Sequence, residues 1–143
     1  MYCVDESVVV NAHLEHESSH TQSKRFMDSI MERRSRIIAP EILIPEVSSA
    51  IARGTHNPSY ALDFVTELRK TPHLSIVPIE RSLSNLAATI AAHYELRGAD
   101  SLYAAVSLSF KVKLISLDKR QLQWASALTP GEELKNIDKQ ETF

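Results

Sequence analysis

The sequence predicts an α/β protein, a three-layer α/β/α sandwich with a central, mostly parallel sheet of four or five strands. Three features carry the prediction. Short β-favouring runs alternate with amphipathic stretches of ten or more residues, the runs end in polar or proline-containing turns, and only three glycines interrupt the chain. Such alternation builds βαβ units, whose strands pair in parallel beneath helices on both faces.

Residues 2–4, Tyr-Cys-Val, form the first strand; it ends in Asp5-Glu6-Ser7, and Val8, Val9 and Val10 carry the apolar character into a short helix. After a polar stretch over residues 15–21, Phe26, Met27, Ile30 and Met31 recur at helical spacing within residues 22–34. Residues 36–39 read as the second strand. Pro40 then suits a first helical position, and Ile42, Leu43, Val47, Ala50 and Ile51 line a helix that Gly54 stops. Pro45 either kinks this helix or marks its start.

Asn57-Pro58 is a cap-plus-proline opening for a helix with Ala61, Leu62, Val65 and Leu68 on its apolar face. Residues 74–78 give the third strand. Ser82 or Ser84 caps the next helix, which carries Leu86, Ala87, Ile90, Ala91 and Tyr94 and is closed by Gly98. A further helix runs over residues 100–110, the fourth strand covers 113–117, and a last helix lies around 120–127. Residues 129–143 read as a turn and a mixed-charge tail with no assigned element.

With 143 residues, 16.0 kDa and 43% hydrophobic composition, the chain supports one well-buried core and is too short for two ordinary domains, so residues 1–143 are expected to form one domain. No apolar run approaches the roughly 20 residues of a membrane span, and Met1 leads straight into a strand-like segment, so neither export nor membrane insertion is expected. The single cysteine, Cys3, sits among apolar neighbours as a small core residue, consistent with a reducing cytoplasm. A net charge of -2 is low for a protein that meets nucleic acid. Setting four proposed site acids aside from the 18 leaves 14, against 16 Lys and Arg, so the rest of the molecule is slightly basic.

Those four acids are the informative feature. Asp5 and Asp118 each follow a strand, Asp100 opens a helix just beyond Gly98, and Glu46 lies near the start of the helix after the second strand. All four can therefore face the carboxyl edge of the sheet, where parallel sheets bind ligands. Taken singly, an Asp at a helix start has a simpler reading as an N-cap that meets the helix dipole. Jointly, clustered carboxylates repel, a cost that a divalent cation relieves, and oxygen ligands of this kind suit Mg²⁺ or Mn²⁺.

At these positions the sequence resembles the PIN-domain nucleases, and among them the small VapC-like toxins of bacterial and archaeal type II toxin–antitoxin modules. Val4-Asp5-Glu6-Ser7-Val8 is similar to the family's opening motif, and Pro45-Glu46-Val47-Ser48-Ser49-Ala50 to its helix-borne Glu. Arg97-Gly98-Ala99-Asp100-Ser101-Leu102-Tyr103-Ala104 is similar to the third motif and Leu117-Asp118 to the last. The resemblance implies a metal-dependent endoribonuclease that hydrolyses phosphodiester bonds in single-stranded RNA. Asp5 and Asp100 would be the main ligands of Mg²⁺ or Mn²⁺, Glu46 and Asp118 would complete the shell or orient the attacking water, and the hydroxyls of Ser7 and Ser116 would support them. No side-chain nucleophile is required. A small antitoxin whose tail blocks the acidic pocket, and a homodimer, are the implied partners. Glu6 departs from the family pattern, which often has a small or hydroxyl residue there, and adds a fifth acid beside the site.

Other signals point elsewhere. His16-Glu17-Ser18-Ser19-His20 matches the HExxH pattern of zinc peptidases, yet that motif needs a firm, partly buried helix and this stretch has almost no apolar face. Ser18 or Ser19 reads more simply as a helix cap. Glu32-Arg33-Arg34-Ser35-Arg36 and Lys119-Arg120 could meet phosphates, or be solvated helix ends. No second Asp stands two residues after Asp5, against a haloacid-dehalogenase-like phosphatase. A receiver-like signalling module or a binding-only RNA module is the non-enzymatic alternative, and neither accounts for Glu46 and Asp100 together.

Overall fold

In the structure, a computed structural model, residues 1–119, 121 and 123 and the backbone of 131–133 are described. The chain runs β1 (Tyr2–Val4), α1 (Glu6–His13), α2 (His20–Glu32), β2 (Ile37–Pro40), α3 (Leu43–Thr55), α4 (Pro58–Arg69), β3 (Leu74–Val77), α5 (Arg81–Tyr94), α6 (Gly98–Phe110), β4 (Lys113–Ser116) and β5 (Gly131–Glu133). The helix expected around 120–127 lies mostly outside the described residues.

The five strands form one sheet in the order β3-β2-β1-β4-β5, every neighbouring pair parallel. β1 leads to β2 and then β3 on one side, after which the chain crosses back to place β4 on the other side of β1. That reversal makes the carboxyl ends of β1 and β4 the switch point at which open α/β sheets form a crevice. Tyr2, Cys3 and Val4 register with Lys113, Leu114 and Ile115, so β1 ends one residue short of the end of β4.

Burial explains why such short strands hold. Cys3, Val4, Ile38, Ala39, Leu114 and Ile115 are buried, and consecutive strand residues point to opposite faces, so both sides of the sheet are apolar and need helical cover. α6 packs on β1, β2 and β4, α1 packs on β4 and α3, and the helices pair as α1 with α2, α3 with α4 and α5 with α6. This is the three-layer sandwich expected. The Cys3 thiol points at α6, 3.8 Å from the carbonyl of Tyr103, and burial pushes its pKa up to about 12, which keeps it an inert part of the core.

Several boundaries differ from expectation for local reasons. Pro40 ends β2 instead of opening a helix; it pairs with Val77 beyond the last β2 residue paired with β1, so its missing N–H costs no bond on that side. α3 begins at Leu43, and Pro45 falls in its first turn, where N–H groups have no partner within the helix. Gly54 does not stop α3. The stop is His56, with φ of 53°, while a Cβ on Gly54 would come within 2.6 Å of Leu14 Cδ1, so this glycine admits the end of α1. Likewise Glu95, at φ of 53°, closes α5, and Gly98 is the first residue of α6. Asn57 caps α4 as its sequence implies, accepting from the Tyr60 N–H at 3.0 Å. β5, Gly-Glu-Glu, falls where the sequence predicts no element. Among the described residues no helix is long and apolar enough to cross a membrane.

Candidate active site

Asp5 is the first residue past β1, and its N–H donates to the Ile115 carbonyl at 3.2 Å, which ties it to the end of β4. Its backbone is extended, and it is also the N-cap of α1: Oδ1 accepts from the Val8 N–H at 3.4 Å and from Ser7 Oγ at 2.6 Å, while Oδ2 accepts from Ser116 Oγ. The cap reading and the site reading thus describe one residue. Only 3% of Asp5 is exposed. Burial raises its pKa to about 6 despite the serine hydroxyls and the Val8 N–H, and the Glu46 carboxylate adds to the rise.

The two serines lock the end of β4 to Asp5. Ser7 Oγ accepts from the Leu117 N–H at 3.1 Å, and Ser116 Oγ accepts from the Asp118 N–H at 2.9 Å and reaches Gln121 Oε1 at 3.0 Å. Asp118 therefore starts from a fixed backbone, and its Oδ1 accepts from the Gln121 N–H at 3.4 Å.

Asp100 is the third residue of α6 and Glu46 the fourth of α3, so both project from first helical turns toward the same edge. Glu46 Oε2 accepts from Tyr103 Oη at 2.8 Å. Burial raises the Glu46 pKa, Tyr103 counteracts this, and Asp100 raises it further. Burial raises the pKa of Tyr103 and the nearby carboxylates add to it, so its phenol stays a donor. Arg97, immediately before α6, donates through Nε to Asp100 Oδ2 at 2.9 Å and through Nη2 to Asp118 Oδ2 at 3.4 Å.

These side chains line one cavity of about 210 Å³ at the switch point: Asp5, Glu46, Asp100 and Asp118, with Glu6, Ser7, Arg97, Tyr103 and Gln121 between them. Glu6 points inward. Burial, together with repulsion from Asp5, Glu46 and Asp100, raises its pKa to about 7, against the opposing pull of Arg97. A second cavity of about 330 Å³ shares Glu6 and Glu46 and carries Arg53.

Oxygen-only donors on a shared wall suit a hard divalent cation. Among the described residues, however, no three acids are drawn into a ready-made coordination set. Each is held by another partner: Asp5 by the serines, Glu46 by Tyr103, and Asp100 and Asp118 by Arg97.

Sequence reasoning passed over Arg97 and Tyr103 as site residues, although both lie inside the third motif. Tyr103 sits on a helix full of small apolar residues and reads as core; only its reach to Glu46, 57 positions away, gives it a polar role. The HExxH stretch, in contrast, lacks its helix. His16 and Glu17 lie in turns, only His20 enters α2, and its Nδ1 meets the Asn11 carbonyl at 2.8 Å. Ser19 takes the N-cap position of α2 without a side-chain bond.

The sheet order and the acidic cavity at its switch point define an α/β protein of the kind that binds at the carboxyl edge of a parallel sheet. The chain belongs to the PIN-domain family, whose model matches residues 2–126. No curated protein matches the chain. Among solved structures, it is similar to VapC20 of Mycobacterium tuberculosis, a sarcin-ricin loop cleaving toxin, with a TM-score of 0.75 at 14% identity, covering 89% of this chain and 95% of that one. DNA-bound VapBC from Salmonella typhimurium matches with a TM-score of 0.70 at 12% identity, over 93% and 97% of the two chains. A toxin–antitoxin complex from Klebsiella pneumoniae matches at 0.63 and 13%, over 85% and 90%. At such identities the likeness is one of fold.

Proposed function

We propose that this chain is a Mg²⁺- or Mn²⁺-dependent endoribonuclease and the toxin of a toxin–antitoxin pair. The observation that carries the reading is the gathering of Asp5, Glu6, Glu46, Asp100 and Asp118 around one cavity at the sheet's switch point in a PIN-domain chain. Asp5 and Asp100 are the residues to hold the cation, with Asp118 and Glu46 completing its surroundings. A divalent cation bound there supplies Lewis-acid stabilisation of charge on the scissile phosphate and acidifies water.

The chain's own residues do the rest. Ser7 and Ser116 fix both oxygens of Asp5, so the carboxylate is oriented before anything binds. Tyr103 holds one oxygen of Glu46 and leaves the other free to accept a proton or orient water. The substrate class we propose is single-stranded RNA, with the cavity of about 210 Å³ taking one scissile phosphate. The toxin reading draws on the VapBC, VapC and toxin–antitoxin structures that share this fold, and it carries two partners with it: a small antitoxin that covers the cavity, and a second copy of the chain.

The test is cleavage of labelled single-stranded RNA with Mg²⁺ or Mn²⁺. Activity should vanish with EDTA and in Asp5→Asn and Asp100→Asn, with circular dichroism unchanged. RNA binding indifferent to EDTA with no cleavage would replace the enzyme by a binding module.

A further inference from the structure

Arg97 occupies a contrary place for a cation. It stands at the N-cap of α6, where the helix dipole is positive and favours anions, so helix energetics do not account for it. Its side chain is 78% exposed, and ion pairs this open are weak. Two carboxylates hold it: one Oδ2 from α6 and one Oδ2 from the segment after β4. Among the described residues lining the cavity it is the only cation.

A divalent ion bound by Asp100 and Asp118 takes up the same negative charge that the guanidinium now neutralises. The two cations compete. Once displaced, Arg97 stays tethered at the lip of the cavity, and its planar fork matches the two free oxygens of a phosphodiester. We infer that Arg97 is a displaceable counter-ion that bridges Asp100 and Asp118 until a divalent cation replaces it, and that the released guanidinium then binds the RNA phosphate. This deepens the nuclease reading and rests on it.

Calorimetric titration with Mn²⁺ tests the first half, and single-turnover cleavage of labelled single-stranded RNA at saturating Mn²⁺ tests the second, each on wild type, Arg97→Gln and Arg97→Lys. Arg97→Gln should bind Mn²⁺ roughly two- to tenfold tighter, the size expected for removal of exposed ion pairs. It should cleave roughly 10²–10³-fold more slowly, as when one donor to a developing oxyanion is lost. Arg97→Lys should fall between the two in rate. A purely structural Arg97 would move neither Mn²⁺ affinity upward nor rate downward. Unchanged or weaker Mn²⁺ binding by Arg97→Gln, or an unchanged rate, overturns the inference while wild-type cleavage leaves the nuclease reading standing. Absence of both Mn²⁺ binding and cleavage in wild type overturns both together.

Discussion

Asp5→Asn is expected to stabilise the metal-free protein while abolishing its activity. Asp5 is buried, and a carboxyl whose pKa moves from 3.8 to about 6 carries about 3 kcal/mol of preference for its neutral form. At pH 7.5 without metal the folded state bears that cost, because the ionised group is fully hydrated only when unfolded. An amide keeps Oδ1 as acceptor for Ser7 and the Val8 N–H. Its new NH₂ group faces Ser116 Oγ, which can accept from it and turn its own hydrogen toward Gln121 Oε1, 3.0 Å away. No buried partner is orphaned, so a net gain of about 1–3 kcal/mol is expected, or roughly 3–10 °C in Tm for a chain of this size. Thermal unfolding in EDTA and again in Mn²⁺ measures it. Wild type should gain stability from Mn²⁺ and the variant should lose most of that gain. A variant that melts below wild type in EDTA would show that the Asp5 charge is no burden, and one that responds equally to Mn²⁺ would show that it is no ligand.

Four further outcomes follow from the same contacts. The metal-free wild type should lose stability as pH rises: Asp5 and Glu6 have folded pKa values of about 6 and 7, above their unfolded ones, so their contribution is complete below about pH 4 and is lost as pH climbs through 6 and 7. Urea midpoints from pH 4.5 to 7.5 would show the decline, and Mn²⁺ at pH 7.5 should reverse it. Ser116→Ala removes the hydroxyl that meets Asp5 Oδ2, the Asp118 N–H and Gln121 Oε1 and should cost about 1–3 kcal/mol in chemical denaturation. Asn57→Ala removes the α4 cap, far from the cavity, and should cost about 1 kcal/mol with RNA cleavage unchanged. Arg53→Ala, in the cavity adjoining Glu6 and Glu46, should raise KM for RNA and flatten its salt dependence by about one phosphate contact; an unchanged salt slope would place the RNA elsewhere.

Legibility in the sequence followed how local each signal was. β1 to β4 carry β-branched, apolar runs, and all four were read within a residue or so. β5 is Gly-Glu-Glu, three residues with no strand preference of their own, and only pairing with Leu114, Ile115 and Ser116 makes it a strand. Helix ends are hard to place from sequence where a non-glycine takes the left-handed conformation, as His56 and Glu95 do, because glycine is the expected signal there. The acids were readable because strand ends and helix starts are local features, and they reach one cavity because the sheet order brings those ends together. Glu6 could be seen as an extra acid but not aimed. Arg97 and Tyr103 could be seen in their motif, but their roles depend on Asp118 and Glu46, partners far away in the chain.

The locking of Asp5 by Ser116 has a temporal side. These residues are 111 positions apart, and β1 lies between β2 and β4 in the finished sheet. A ribosome must therefore synthesise past Asp118 before β1 acquires its second neighbour, before the two serine bridges close, and before the fourth acid exists. Contacts of such long range are also slow to form, because loop-closure entropy is paid before they are rewarded. On the nuclease reading proposed above, the site is therefore incomplete until the chain through Asp118 has been made.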